Sequence, residues 1–204
     1  MIKILCYGDS NTYGFNPLDG SRFDEKIRWT QKLGINLGSN YLIIEEGANN
    51  RTGFFDNPAG FDYSGNRHLP KVLAKNKEID ILVLAIGTND LQFCYNATLK
   101  NIENGLENLI VTAKKYCSRI IIIPPPILRE NILDGYFRIQ FDETSISKSK
   151  KIGKVYRKLA GIYGCEIFDI NEFQKPSEED GLHYNKIAHN IIAEKLAEFI
   201  RKEK

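Results

Sequence analysis

The sequence predicts an α/β fold in which helices cover both faces of a parallel sheet. Three observations lead to this prediction. Apolar runs recur that are too continuous for strands with one solvated face. Segments with helical spacing lie between these runs. The 204 residues fit one domain with a sizeable core, which we assign to residues 1–204.

Each predicted strand is a short run of apolar residues bounded by polar or turn-forming residues. The runs cover residues 2–7, 41–44, 79–86, 119–123 and 166–168. Because such runs do not alternate between apolar and polar positions, they fit strands that are buried on both faces.

The predicted helices carry apolar residues at intervals of three and four. They cover residues 29–37, 69–75 and 99–116, a segment from Ile152 to Ile162, and residues 185 to the C-terminus. Leu99, Ile102 and Leu106 illustrate the pattern, since they fall on one stripe of the third helix. Alternating strands and helices indicate βαβ units with right-handed crossovers.

The bulk composition excludes several classes of protein. There are 28 basic and 26 acidic residues, and a net charge of +2 argues against a nucleic-acid binder with a concentrated basic face. The four cysteines form no Cys-x-x-Cys pair, so we expect no metal and no cofactor. No apolar stretch approaches the length of a membrane span or forms a signal peptide, and we expect a cytoplasmic protein.

Four polar clusters follow strands or precede the last helix. They cover residues 8–11, 47–51, 87–90 and 180–183. The carboxyl ends of parallel strands share one edge of the sheet, and ligands bind at that edge in open α/β folds. We therefore expect the four clusters to converge.

The residue types in these clusters are complementary. Ser10 becomes a nucleophile only when a base removes its proton, and His183 is of the usual type of base. Asp180, three residues earlier, can orient the imidazole. The backbone N–H groups of Ser10 and Gly47 and the side chain of Asn89 can serve as an oxyanion hole. Taken alone, Ser10 is better explained as a helix cap.

Together these blocks resemble the SGNH hydrolases, also called GDSL-type lipases/acylhydrolases, over nearly the whole chain. The resemblance implies that Ser10 is the nucleophile, His183 the base and Asp180 its partner. It also implies that Ser10, Gly47 and Asn89 form the oxyanion hole. We expect a single SGNH hydrolase domain: a three-layer, flavodoxin-like α/β/α sandwich with five parallel strands in the order 2-1-3-4-5.

Further features resemble the bacterial arylesterase/acyltransferase branch, among them Arg28-Trp29-Thr30 and Pro124-Pro125-Pro126. The chain departs from the family pattern at Asn11, where the eponymous motif has leucine. It departs from the branch at Ala48-Asn49-Asn50, after Gly47, where a small residue and a serine are usual. The resemblance to this branch also favours a homo-oligomer.

The predicted activity is hydrolysis of a small acyl ester with a short, acetyl-type acyl group, through an acyl-enzyme on Ser10. The chain has no long apolar lid segment that would indicate triglyceride. Tyr13 and Phe15 are candidates for the wall of the acyl pocket. Other candidates for substrate contact are Asn11, Trp29, Arg51, Phe93 and Tyr95.

Several alternatives stay open at this point. The same site suits a carbohydrate O-deacetylase, a thioesterase or an acyltransferase, and the same fold suits a non-catalytic ligand-binding protein. Trp29 is equally compatible with the core, and Arg51 with a structural salt bridge. The roles of Arg28 and His68 are undecided, while Asp9 and Asp90 are expected to be structural and His189 to lie in packing or at the surface.

Overall fold

A computed structural model describes residues 1–76 and 78–202 of the chain. Its sheet has five strands in the order β2-β1-β3-β4-β5, and every neighbouring pair is parallel. The strands are β1 (Ile2–Gly8), β2 (Tyr41–Gly47), β3 (Ile81–Ala85), β4 (Arg119–Ile123) and β5 (Glu166–Ile167). The predicted strands and their order are confirmed.

Helices lie between and after the strands. Three of them lie close to the predicted segments, whereas the helix predicted from Ile152 begins at Glu143 and the helix at Ser10–Tyr13 was not predicted. They are α1 (Ser10–Tyr13), α2 (Trp29–Leu37), α3 (Gly65–Lys75), α4 (Leu99–Ala113), α5 (Glu143–Tyr163) and α6 (Lys186–Lys202). The predicted 69–75 helix begins four residues too late, because Gly65 lies on the buried face but has no side chain to extend the apolar stripe. Within the described ranges, no helix has the length and apolar character needed to cross a membrane.

The two faces of the sheet carry separate hydrophobic cores. Leu5 and Tyr7 of β1 pack into the core formed with α3, α4 and α5. Ile4 and Cys6 pack into the core formed with α2 and α6. Because strand residues point alternately to opposite faces, burial on both faces explains the unbroken apolar runs and confirms the three-layer sandwich. Trp29 belongs to the second core.

The strand register aligns the ends that carry the polar clusters. Gly8, the last residue of β1, is paired with Gly47 on one side and Ala85 on the other. Ala85 is in turn paired with Ile123 at the end of β4. The chain therefore leaves these four strands at one level of one sheet edge.

The side chain of Glu45 joins α2 to β2. Its Oε1 accepts hydrogen bonds from Arg28 Nε at 3.0 Å and from the Thr30 hydroxyl, and its Oε2 accepts from Arg28 Nη2 at 2.9 Å and from Gln31 Nε2 at 2.8 Å. Although burial acts to raise it, these hydrogen bonds and the charge of Arg28 lower the pKa of Glu45 to about 2. The role of Arg28 is thus an ion pair with Glu45.

Stability measured against pH tests this cluster. The lowered folded-state pKa means that the Glu45 contribution is complete above the unfolded value of about 4.3 and is lost as the pH falls towards the folded value. We expect Glu45→Gln to lower the free energy of unfolding at neutral pH by about 1 to 2 kcal/mol. This deficit should shrink between about pH 5 and about pH 2.5 in urea titrations.

The matched control is Glu198→Gln, at an exposed position of α6. It should leave the free energy of unfolding unchanged at both ends of this pH range. A deficit of Glu45→Gln that stays constant across the range would contradict the assignment.

Candidate active site

The turn after β1 fixes the backbone of Ser10. Asp9 is the N-cap of α1, and its Oδ1 accepts the N–H of Asn11 at 3.1 Å. Burial raises the pKa of the Asp9 carboxyl above its ordinary value. Ser10 is the first residue of α1, and its own N–H donates no backbone hydrogen bond within the described residues. Asp9 is therefore structural, as predicted.

The turn before α6 holds Asp180 and His183 in contact. Asp180 Oδ1 accepts the N–H groups of Leu182 and His183, both at 2.9 Å, and Asp180 Oδ2 lies 2.6 Å from His183 Nδ1. Gly181 has a backbone φ of +72°, a value that residues other than glycine rarely adopt. One carboxylate thus fixes both the turn and the imidazole.

Ser10, His183 and Asp180 form a continuous hydrogen-bonded chain. Ser10 Oγ lies 2.8 Å from His183 Nε2, and the three residues are 5%, 2% and 8% exposed. An ionised Asp180 can only accept a hydrogen bond, so the imidazole carries its proton on Nδ1. Nε2 is then free to accept the proton of Ser10. This arrangement suits general-base activation of a hydroxyl nucleophile.

Asn11 links the two turns directly. Its Oδ1 accepts the N–H of Tyr184 at 3.1 Å, and its Nδ2 donates to the carbonyl of Leu182 at 3.4 Å. These two backbone groups flank His183. Asn11 therefore holds the backbone on both sides of His183. Its side chain does not line the cavity over Ser10.

A cavity of about 180 Å³ opens over Ser10 and His183. The Phe15 ring stacks on the His183 imidazole with ring centroids 4.2 Å apart, and the Phe137 ring lies 5.3 Å from it. Carboxamide side chains line the cavity as well. The full lining is Ser10, Phe15, Asn49, Asn50, Asn89, Phe137, Gln140, Leu182 and His183.

Asn89 is 5% exposed and lies in this lining. Its Nδ2 donates to the carbonyl of Arg51 at 3.0 Å, and its Oδ1 accepts from Gln92 Nε2 at 2.9 Å. An amide nitrogen has two hydrogens. The second hydrogen of Asn89 Nδ2 has no acceptor in the described part of the chain.

Asn50 also borders the cavity, with the positive φ of 58° that asparagine tolerates better than most residues. Its carbonyl accepts from Asn57 Nδ2 at 2.6 Å, and its side-chain Oδ1 accepts from Gln92 Nε2 at 2.9 Å. The N–H of Asn50 donates to no acceptor among residues 1–76 and 78–202. It is a free backbone donor at the cavity wall.

Gly47 does not lie at the cavity, where the sequence predicts an oxyanion donor. It ends β2 and does not belong to the cavity lining. A Cβ at this position would lie 2.2 Å from the backbone N of Tyr13. Glycine is required here because α1 passes directly over the end of β2, and Asn50, three residues later, takes the place at the cavity.

The side chains of Trp29 and Arg51 are also outside the cavity. Trp29 is 2% exposed, and its Nε1 donates to the Asn11 carbonyl at 3.0 Å. Arg51 is 3% exposed, donates to the carbonyl of Gly8 at 3.1 Å, and lies over the Tyr7 ring at 4.6 Å. The structure therefore gives both residues a structural role. Among the described residues, no carboxylate pairs with Arg51, so the expected salt bridge is not formed there.

The two aromatic candidates on the segment after β3 are turned away from Ser10. Phe93 is 43% exposed, and the Tyr95 ring stacks on Phe55 with centroids 5.5 Å apart. Neither belongs to the lining. Sequence reasoning found Phe15 but missed Phe137 and Gln140, which lie in a stretch with no motif or regular spacing.

The remaining histidines and Asp90 are structural. His68 Nδ1 contacts the Tyr7 hydroxyl at 3.1 Å, and His189 Nδ1 accepts the N–H of Trp29 at 3.1 Å. Burial lowers the pKa of His189 to about 3.

Asp90 anchors the loop that follows Arg51. Its carboxylate accepts the N–H groups of residues 53, 54 and 55 at 2.6, 2.7 and 3.3 Å. Burial raises the pKa of Asp90 to about 7, although these hydrogen bonds act to lower it. In the described ranges, no group of three or more His, Cys, Asp or Glu residues is arranged to hold a metal ion.

Comparisons with known proteins agree with this geometry. A family model described as GDSL-like Lipase/Acylhydrolase matches residues 4–196. The solved aryl esterase of M. smegmatis is 29% identical with a TM-score of 0.90, and a carbohydrate acetylesterase from Sinorhizobium meliloti is 27% identical with a TM-score of 0.92. Each of these two matches covers 99% of both chains.

A curated relative is more distant. The isoamyl acetate-hydrolyzing esterase of Schizosaccharomyces pombe is 23% identical over 141 residues, or 67% of this chain. The match spans 56% of the length of that esterase.

Replacing Gly47 tests its packing role. We expect Gly47→Ala to lower the free energy of unfolding by about 3 kcal/mol or more, because a backbone atom of α1 occupies the space that the new methyl group needs. Gly161→Ala is the matched control, since nothing lies within 4 Å of a Cβ there. It should raise the free energy of unfolding by about 0.5 to 1 kcal/mol. Equal stabilities of the two variants in urea denaturation would contradict this interpretation.

Proposed function

The chain belongs to the GDSL-like lipase/acylhydrolase family, and we propose that it is a serine esterase that hydrolyses small esters with a short, acetyl-type acyl group. The observation that carries the proposal is the Ser10–His183–Asp180 hydrogen-bonded chain at the floor of a cavity. The names of the aryl esterase and acetylesterase relatives support the same class of substrate.

The proposed reaction begins with attack of Ser10 Oγ on the ester carbonyl carbon while His183 Nε2 takes the hydroxyl proton. The resulting tetrahedral oxyanion collapses, the bond to the alcohol oxygen breaks, and His183 returns its proton to the leaving alcohol. Water then attacks the acyl-Ser10 ester, again with His183 as base. The carboxylic acid leaves and Ser10 regains its proton.

The oxyanion needs donors that are in place before charge develops. We assign three: the N–H of Ser10, the N–H of Asn50 and the Nδ2 of Asn89. Asn50 replaces Gly47 in this proposal, because Asn50 lines the cavity with an unused N–H and its side chain is tied to Asn89 through Gln92. Asp180 stabilises the imidazolium that forms on His183.

The size of the cavity supports a short acyl group. About 180 Å³ is small beside the roughly 300 to 1,000 Å³ of typical ligand pockets. Phe15 and Phe137 close one side of the space over His183. An acyl chain that extends towards this side meets these rings.

A carbohydrate acetyl ester is the second candidate substrate. The cavity is lined both by the aromatic Phe15 and Phe137 and by the carboxamides of Asn49, Asn50 and Gln140. An aromatic face together with hydrogen-bonding amides suits the apolar and hydroxyl-bearing faces of a sugar. Thioesterase or acyltransferase activity, a homo-oligomer, a cytoplasmic location and a single 1–204 domain remain predictions of the sequence.

Labelling of the nucleophile tests the activity. We expect a fluorophosphonate to label the protein at Ser10 and p-nitrophenyl acetate to be hydrolysed, because His183 Nε2 activates this hydroxyl. Ser10→Ala should lose both signals and keep its melting temperature. The exposed Ser39 provides the control Ser39→Ala, which should retain both. Full esterase activity of Ser10→Ala would contradict the proposal.

A series of p-nitrophenyl esters of increasing acyl length tests the substrate. We expect kcat/KM to be highest for acetate and to fall about tenfold or more by the longer chains, since each methylene that fails to fit costs about 1 to 3 kcal/mol. Phe137→Ala should shift the optimum to longer chains. Phe93→Ala, outside the cavity lining, should not. A wild-type optimum at long chains would overturn the short-acyl assignment.

A further inference from the structure

The carboxamide of Gln92 connects three segments of the cavity wall. Gln92 is 5% exposed and follows Asn89 by three residues on the turn after β3. Its Nε2 lies 2.9 Å from Asn89 Oδ1, 2.9 Å from Asn50 Oδ1 and 3.4 Å from Gln140 Oε1. Gln92 itself does not line the cavity.

These contacts determine how the carboxamides are oriented. The backbone carbonyl of Arg51 can only accept a hydrogen bond, so Asn89 presents Nδ2 to it and Oδ1 to Gln92. Gln92 therefore faces Asn89 with its nitrogen, which is the only donor of its side chain, and the same nitrogen donates to Asn50 Oδ1.

Gln92 holds Asn50 at the same time. The Asn50 side chain accepts from Gln92, and its carbonyl accepts from Asn57 Nδ2. With both acceptors engaged, the peptide of Asn50 is fixed in its left-handed conformation. The Asn89 side chain and the Asn50 peptide, which lie in different loops, are thus both held by the buried amide group of Gln92.

We propose that Gln92 is a positioning residue that orients the Asn89 side chain and the Asn50 peptide as oxyanion donors. The inference rests on the proposed function, because it needs these two groups to stabilise the transition state. Gln92 acts through Asn89 and Asn50 and touches no reacting atom. Its loss therefore lowers kcat and leaves KM nearly unchanged, since a donor that acts on the oxyanion strengthens only in the transition state.

Two substitutions separate orientation from packing. Gln92→Glu exchanges the donor nitrogen for an oxygen that repels Asn89 Oδ1 and Asn50 Oδ1 when ionised, whereas its protonated form can donate again. Gln92→Met removes the donor at every pH and keeps a side chain of similar length. Gln174→Glu makes the same chemical change outside this cavity and serves as the control.

Several titratable groups of the wild type surround this position. The Cys94 thiol lies 3.8 Å from Gln92 Oε1, Asp90 faces residues 53 to 55, and His183 lines the same cavity. Dividing the activity of each variant by that of the wild type at the same pH removes the pH dependence that they share. Gln92→Met adds no charge and is the reference against which the introduced carboxyl is judged.

The experiment measures kcat and KM for p-nitrophenyl acetate between about pH 5 and about pH 8.5, with melting temperatures for all variants. At the alkaline end we expect Gln92→Glu and Gln92→Met to reduce kcat about 10- to 100-fold, less than the about 100- to 1000-fold typical of losing an oxyanion donor itself. KM should change less than about threefold. Towards low pH, kcat of Gln92→Glu relative to the wild type should rise, and that of Gln92→Met should stay flat.

Other outcomes would overturn the inference. Unchanged kcat in both variants would do so, as would a relative kcat of Gln92→Glu that is independent of pH. Loss of cooperative unfolding in both variants would give Gln92 a purely structural role. Failure of the proposed function has a different signature, which is the absence of any Ser10-dependent turnover in the wild type.

Discussion

The hydrogen bond between Ser10 Oγ and His183 Nε2 joins two turns that are 173 residues apart in the chain. Ser10 leaves the sheet at the edge where β1, β2, β3 and β4 end, and the turn before α6 brings His183 to the same edge. Asn11 reinforces it by holding the backbone on both sides of His183. Asp180 completes it from the other side of the imidazole, since the same carboxylate fixes the turn and the ring.

We propose that two sets of residues divide the work in the cavity. Proton transfer belongs to His183, on which the Phe15 ring stacks. Charge stabilisation belongs to the carboxamides, among which Gln92 connects Asn89 with Asn50. Because water is largely excluded from Ser10 and His183, electrostatic interactions here are stronger than in bulk solvent. Because the amide groups are already oriented, they do not have to reorient when charge develops in the transition state, as water molecules would.

The sequence was sufficient for the strands, their order and the contact between Ser10, His183 and Asp180. Continuous apolar runs identify buried parallel strands, and an Asp-x-x-His turn is local enough to read directly. It was not sufficient to place the free N–H of Asn50 at the cavity and Gly47 outside it, because the direction of an N–H depends on the dihedral angles of the turn. Asn11 and Phe137 were missed in the roles they take, because those roles depend on contacts between distant segments.

The central claim is that Ser10 forms a covalent acyl-enzyme. Mass spectrometry of the protein quenched with acid during turnover of p-nitrophenyl acetate tests it most directly. We expect a species heavier by one acetyl group, with the modification on the peptide that contains Ser10. Acetylation of Ser10 should disappear in Ser10→Ala. Turnover with no covalent species, or with the acetyl group on another residue, would contradict the account.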